Sequence, residues 1–277
     1  STTAFFLVVT VFTANAQNSW LPSSIGGFDF NARITSCITP FKNALYAGAS
    51  YDGTVAYANV YRSSSGVAGS WQSVFPYSTL TNVTAMTTTN DGGGFIFAAG
   101  NDLSGSGNAK IYSSSDGNTW NTFYNNAITS YPISKINAFK GLGATGDSIY
   151  VFQQLGSNSV VYSALYSNAD TLPTGSGWNS YALPGNSTVA STLVYNGNLY
   201  AGLSSASGCT LWSTNGSGGW VQNTGVGFGF GNPTTNQSID ALAAYSGYIY
   251  AATGATIFRS ADAVTWNSVV TMLAADK

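Results

Sequence analysis

Ten aspartates, two cysteines and four Asn-X-Ser/Thr triplets are the side chains here that carry reactive or modifiable chemistry, and the chain has neither histidine nor glutamate. A His-dependent nucleophile, a His metal site and the usual Glu acid–base pair are thereby excluded. What remains for catalysis is an Asp-only inverting hydrolysis, in which one carboxylic acid protonates a leaving group and a second carboxylate activates water. Asp240 falls on a short apolar strand, while Asp29, Asp52, Asp91 and Asp102 fall in turns or loops, where aspartate commonly serves the backbone. Arg62 and Arg259 occupy one repeat position just after a strand, which marks structural equivalence and leaves Arg33 as the only other arginine. No catalytic, cofactor-binding or metal site is expected, and the chain reads as a non-enzyme.

Modification offers more. Asn82-Val83-Thr84, Asn186-Ser187-Thr188, Asn215-Gly216-Ser217 and Asn236-Gln237-Ser238 are N-glycosylation sequons. Three of them precede apolar strand starts at Val83, Val189 and Ile239, which predicts one glycan-bearing face and a secreted, extracellular protein. Charged residues make up 6% of the chain, against about 25% in an ordinary soluble domain. Ser, Thr and Asn together supply roughly a third of it instead. A net charge of −2 leaves no basic surface, so nucleic acid is not an expected partner. Cys37 and Cys209 lie three repeats apart, too far for a disulfide within the chain. Both are expected as buried thiols, with Cys209 alone able to reach another chain.

The elements that position these groups recur. Trp20, Trp71, Trp120, Trp178, Trp220 and Trp266 follow one another at intervals of about fifty residues, a period that signals stacked supersecondary units. Each unit starts with a small-residue strand such as Val83-Thr84-Ala85-Met86 or Ile239-Asp240-Ala241-Leu242. An aromatic-rich strand such as Ser148-Ile149-Tyr150-Val151 comes next, then an apolar-aromatic pair such as Leu211-Trp212, and the tryptophan opens a fourth strand. Short β-branched and aromatic runs punctuated by Gly, Asn and Ser read as strands joined by tight turns. Four strands per unit predict an all-β fold, a β-propeller of four-stranded antiparallel blades, in a single domain over residues 1–277.

Six blades are expected, with units at 34–82, 83–132, 133–188, 189–238 and 239–267 and a sixth split between 1–33 and 268–277. In the split blade Ala4–Val9, Val11–Thr13 and Ser19-Trp20 match second, third and fourth strands, and Val270–Ala275 reads as the missing first strand. Pairing the two ends would remove an exposed sheet edge. Phe5–Phe12 followed by Ala14-Asn15-Ala16 also resembles a signal-peptide end, but lacks a basic leader and is too short to span a membrane. A structural strand is the preferred reading, and no membrane insertion is expected.

Ser114-Ser115-Asp116-Gly117-Asn118-Thr119-Trp120 and Ser260-Ala261-Asp262-Ala263-Val264-Thr265-Trp266 resemble the Asp-box, or bacterial neuraminidase repeat, of sialidase-like propellers. Thr13–Trp20 and Ser213–Trp220 look like degenerate copies with Asn in place of Asp. The resemblance implies that Asp116 and Asp262 fix a β-turn and that the tryptophans pack between blades. It does not imply sialidase activity, which requires an arginine cluster and a Tyr–Glu pair that this chain lacks.

Long connections between second and third strands, at 50–59, 101–110 and 154–164, share one face with Val221–Ser238. Phe228, Phe230, Tyr51 and Tyr57 are candidate contact residues there. Two non-enzymatic functions follow. The first is a secreted structural glycoprotein that self-associates into a fibre, sheath or coat. The second is a carbohydrate-binding lectin whose inter-blade pockets, lined by Tyr, Trp and Asn, hold glycans. Divergent loops tilt the expectation toward assembly.

Overall fold

Side chains along a strand alternate between faces, so every second residue of the aromatic strands must find cover on each side of its sheet. The computed structural model describes residues 32–51, 58–75, 80–89, 94–102, 109–124, 131–155, 158–166, 177–183, 187–226, 236–254 and 256–271. These residues form five antiparallel four-stranded sheets, each with its strands side by side in chain order. The first is β1 (Ala32–Phe41), β2 (Ala44–Tyr51), β3 (Asn59–Ser63) and β4 (Gln72–Ser73); the second is β5 (Leu80–Thr88), β6 (Ile96–Asp102), β7 (Ala109–Ser114) and β8 (Asn121–Tyr124). The third is β9 (Ile133–Phe139), β10 (Ser148–Leu155), β11 (Asn158–Leu165) and β12 (Asn179–Leu183). The fourth is β13 (Ser187–Tyr195), β14 (Asn198–Ser205), β15 (Thr210–Thr214) and β16 (Val221–Gln222), and the fifth β17 (Ala241–Tyr245), β18 (Tyr248–Thr253), β19 (Thr256–Ser260) and β20 (Asn267–Thr271).

First strands pack one on the next, from β1 through β5, β9 and β13 to β17, as blades do around a propeller axis. The apolar cores lie between the blades. Phe97, Ala99 and Ile111 of the second blade bury against Ile133, Ile149 and Val151 of the third. Their strand neighbours Ile96, Ala98 and Tyr112 bury on the opposite side, against Tyr46 and Val60 of the first. Phe152 and Val161 meet Leu199 and Trp212 between the third and fourth, and Tyr200 and Leu211 meet Ile249 and Phe258 between the fourth and fifth. Tryptophans follow the same rule: Trp120, Trp220 and Trp266 are buried and each joins the cluster shared with the preceding blade.

Tight turns hold the hairpins. Lys42-Asn43, Asn196-Gly197 and Ser246-Gly247 each have positive φ at both central residues, the mirror-image turn whose twist matches two antiparallel strands. The turn before tryptophan is built around one acceptor. Asp116 Oδ1 accepts from the amides of Asn118 and Thr119 at 2.8 and 2.7 Å and from the Ser114 hydroxyl. Asp262 repeats this with Val264, Thr265 and Ser260. These amides favour the charged form, holding both carboxyls well below the usual carboxylate range. The two turn types on this face lock adjacent blades: Lys42 Nζ donates to Ser115 O at 2.6 Å, and Leu142 N to Asn215 O at 2.8 Å.

The described residues make five blades, where the sequence analysis expects six. Val270 and Thr271 do not begin a first strand: they pair with Ile257 and Thr256 and complete the outer strand of the fifth blade. After Trp266 the fourth strand consumes these residues, so the fifth unit runs to 271 and not 267. The segments read as other parts of a split blade, Ala4–Trp20 and Met272–Ala275, lie outside the described residues.

Candidate functional site

Two cross-strand rows on one face of the third blade form the floor of a cavity. Tyr150, Ser163 and Asn179 are register partners across β10, β11 and β12, and Phe152, Val161 and Tyr181 form the next row. The equivalents of the first row are Tyr46–Arg62–Gln72, Phe97–Ser113–Asn121, Tyr200–Ser213–Val221 and Tyr250–Arg259–Asn267. This is the shared position of Arg62 and Arg259 noted in the sequence, and serine occupies it in the second, third and fourth blades. In the first blade the Arg62 guanidinium lies across the row, its Nε donating to the Tyr46 hydroxyl at 3.0 Å. In the second, Tyr166 covers Phe97 with ring centroids 5.6 Å apart. The third blade combines a tyrosine, a small serine and an asparagine beneath the glycine-rich turn Gly216-Ser217-Gly218-Gly219, and a cavity of about 300 Å³ remains. That is the lower end of the range for small-molecule sites.

Aromatic rings and hydroxyls share the walls. Trp220 meets Phe152 and Tyr150 edge-on at 5.8 and 6.4 Å, and the Tyr181 hydroxyl donates to Trp220 O at 3.3 Å. The roof is a self-bonded turn. Gly216 N donates to Thr214 Oγ1 at 3.1 Å, while Asn215 Oδ1 accepts from the amide and hydroxyl of Ser217 at 3.0 and 2.9 Å. Gly216 sits at φ 81°, and a Cβ on it would stand 2.5 Å from Gly141 Cα of the third blade. Only glycine allows that approach.

The lining contains no Asp, Lys or Arg. Burial raises the Tyr150 pKa, so its hydroxyl stays protonated as both donor and acceptor. Ser163, Ser180, Ser217 and Asn179 add further neutral donors and acceptors. A phosphate or carboxylate would find no cation here to offset its desolvation, whereas a neutral polyhydroxylated molecule would find rings for its C–H faces and partners for its hydroxyls.

The other sequence-marked residues are dispersed. Asn82 is in β5, its Oδ1 accepting from Asn101 N at 3.1 Å. Asn236 is 7% exposed and its Oδ1 accepts from Thr253 Oγ1, so a glycan there would have to displace a buried contact. Asn215 is half-exposed on the cavity roof; Asn186 lies outside the described residues. So do Phe228, Phe230, Tyr57 and Trp20, together with most of the connections on the face expected to carry the contact loop. Tyr51 ends β2, and nothing is described of its side chain. Trp71 packs on Ala49 and Tyr61, and Trp178 against the core between second and third blades. Asp240 accepts from Gly254 N through Oδ2 at 3.2 Å, a turn role. Cys37 and Cys209 are free thiols, both pushed up to about 12 by burial. Cys209 is fully buried, which corrects the expectation that it could reach another chain. Among the described residues no three Cys or Asp side chains converge to hold a metal.

The sequence pointed to contacts on the face of the long loops. The cavity lies beneath the turn before Trp220 instead, and its signal was the pairing of a Tyr–Ser–Asn row with Gly216–Gly219.

No family model and no curated protein matches the sequence. Solved structures do resemble the fold. The Pan2 WD40 domain of Neurospora crassa matches with a TM-score of 0.56 at 10% identity, over 87% of this chain and 66% of that one. The Dos1 propeller matches with a TM-score of 0.50 at 11% identity, over 78% and 52%. Prolyl oligopeptidase B from Galerina marginata, bound to a 35mer hydrolysis and macrocyclization substrate, matches with a TM-score of 0.51 at 12% identity, over 87% and 36%. The chain thus spans two thirds or less of each, and at these identities the likeness speaks for the propeller fold alone.

Proposed function

We propose that this is a non-catalytic, extracellular carbohydrate-binding propeller that takes a neutral sugar between its third and fourth blades. The observation that carries the reading is the uncharged cavity floored by Tyr150, Ser163 and Asn179 and walled by Trp220 and Tyr181. The complete absence of histidine and glutamate supports a binding role over hydrolysis. The turns of Asp116 and Asp262, with their amide-bonded carboxylates, support kinship with the Asp-box propellers.

The test fills the cavity the way the first blade fills its own. Ser163→Arg places a guanidinium where Arg62 lies in the first blade, and should abolish binding of neutral mono- and disaccharides in calorimetric titration while the thermal midpoint is kept. Tyr181→Ala should weaken binding by about tenfold, the loss of about 1.4 kcal/mol. Undiminished binding by Ser163→Arg, or a wild-type chain that binds no member of a neutral glycan panel, overturns the assignment.

A second reading, self-association of a secreted coat or fibre subunit, draws support from β20. All five of its residues are exposed, with Val269 and Val270 at 40% and 46%. An outer strand with two adjacent exposed valines is a template for pairing with another copy. Concentration-dependent sedimentation, lost on Val270→Lys, would favour it.

A further inference from the structure

We infer that Asn215 carries an N-linked glycan and that this glycan closes the cavity, so that the binding site is regulated by the modification of its own roof. The inference rests on the sugar-binding reading for its consequence, but not for its geometry. Asn215 stands between two cavity-lining residues, Thr214 and Gly216, and its Oδ1 accepts both bonds from a third, Ser217. Oδ1 is therefore the atom that the turn uses. Nδ2, to which a glycan is joined, is not consumed by those two bonds.

Of the other sequons, Asn82 lies in β5 of the second blade, which supplies none of the cavity lining, Asn236 is buried, and Asn186 lies outside the described residues. The backbone of Asn215 is fixed on both sides: Leu142 N donates to its carbonyl at 2.8 Å, and Gly216 closes on Gly141. A sugar attached there cannot swing away with a mobile loop. Its first ring begins at the rim of a cavity whose aromatic and hydroxyl lining suits a neutral hexosamine.

Attachment uses an oligosaccharide on a lipid pyrophosphate donor. The C1–O bond to the pyrophosphate breaks, a C1–Nδ2 bond forms, and the proton lost from Nδ2 leaves with the lipid pyrophosphate. An aspartate can make the same contact in such a turn. Asp116 and Asp262 each accept from the amide two residues on, as Asn215 does from Ser217 N, although the register places Asn215 one residue earlier, level with Ser115 and Ala261. Asn215→Asp should therefore keep the turn while removing the sequon.

The full chain, produced in a glycosylating secretory host, is compared with Asn215→Asp from the same host and with wild type treated with a peptide N-glycosidase. Glycopeptide mass mapping should find Asn215 occupied. Hydroxyl-radical footprinting should then show Tyr181 several-fold less oxidised in the glycosylated form than in the other two, and neutral sugars should bind the other two at least tenfold more tightly. An unoccupied Asn215, or equal oxidation of Tyr181 in all three samples, overturns the inference. If Tyr181 is protected but no sample binds a sugar, closure stands and the carbohydrate-binding function falls. If Asn215→Asp and the glycosylated chain bind sugar equally, that function stands and closure falls.

Discussion

Asp262 and Ser246 show how much of this fold rests on single polar residues in turns. The amides of Val264 and Thr265 hold the Asp262 carboxyl below its ordinary value of 3.8, so its charged form stabilises the folded chain at neutral pH. Because the folded value is depressed, that contribution is complete above the ordinary value and is lost as the pH falls below it. Asp262→Asn keeps an acceptor but not the charge. Thermal melts should show wild type more stable at neutral pH, with the difference shrinking as the solution is acidified below 3.8. Ser246 holds a left-handed conformation, φ 49°, at an exposed hairpin position where Asn196 serves in the fourth blade. Ser246→Asn recreates that Asn-Gly turn and should raise stability by up to about 1 kcal/mol, measured by urea unfolding, since asparagine tolerates this region best among non-glycine residues.

Between elements, close approach is the governing feature. A Cβ on Gly202 of β14 would stand 2.7 Å from Ile239 Cβ, and one on Gly48 of β2 would stand 2.6 Å from Val83 Cγ1. In both cases the residue met belongs to the start of the next blade. Gly202→Ala should cost about 1–3 kcal/mol by overpacking, and a chemical-denaturation midpoint would reveal it. The strands themselves were legible in the sequence, because the small-residue, aromatic and apolar-pair segments repeat with the tryptophans. Their register was not. Tyr150, Ser163 and Asn179 are separated by long stretches of chain, and only pairing brings them into one row. The cavity follows from that row and from the turn of a different blade, a coincidence that no local pattern announces. Burial of a sequon was equally illegible: Asn236 has the required triplet, and the fold buries its side chain with Oδ1 accepting from Thr253 Oγ1.

For the molecule as a whole, propeller class was readable from period alone, whereas blade number was not. A fourth strand and a first strand are both short runs of β-branched and small residues, so Val270–Ala275 matched either. Pairing with Ile257 decides for the outer strand. Among the described residues each large apolar cluster joins two blades that are consecutive in the chain. That arrangement has an order in time. During synthesis the aromatic row of the third blade is complete once Leu183 has been added, but the indole that walls it, Trp220, has still to be made. From the second to the fourth blade, each newly translated sheet therefore serves first as a lid for its predecessor and only afterwards as a wet aromatic surface in need of one.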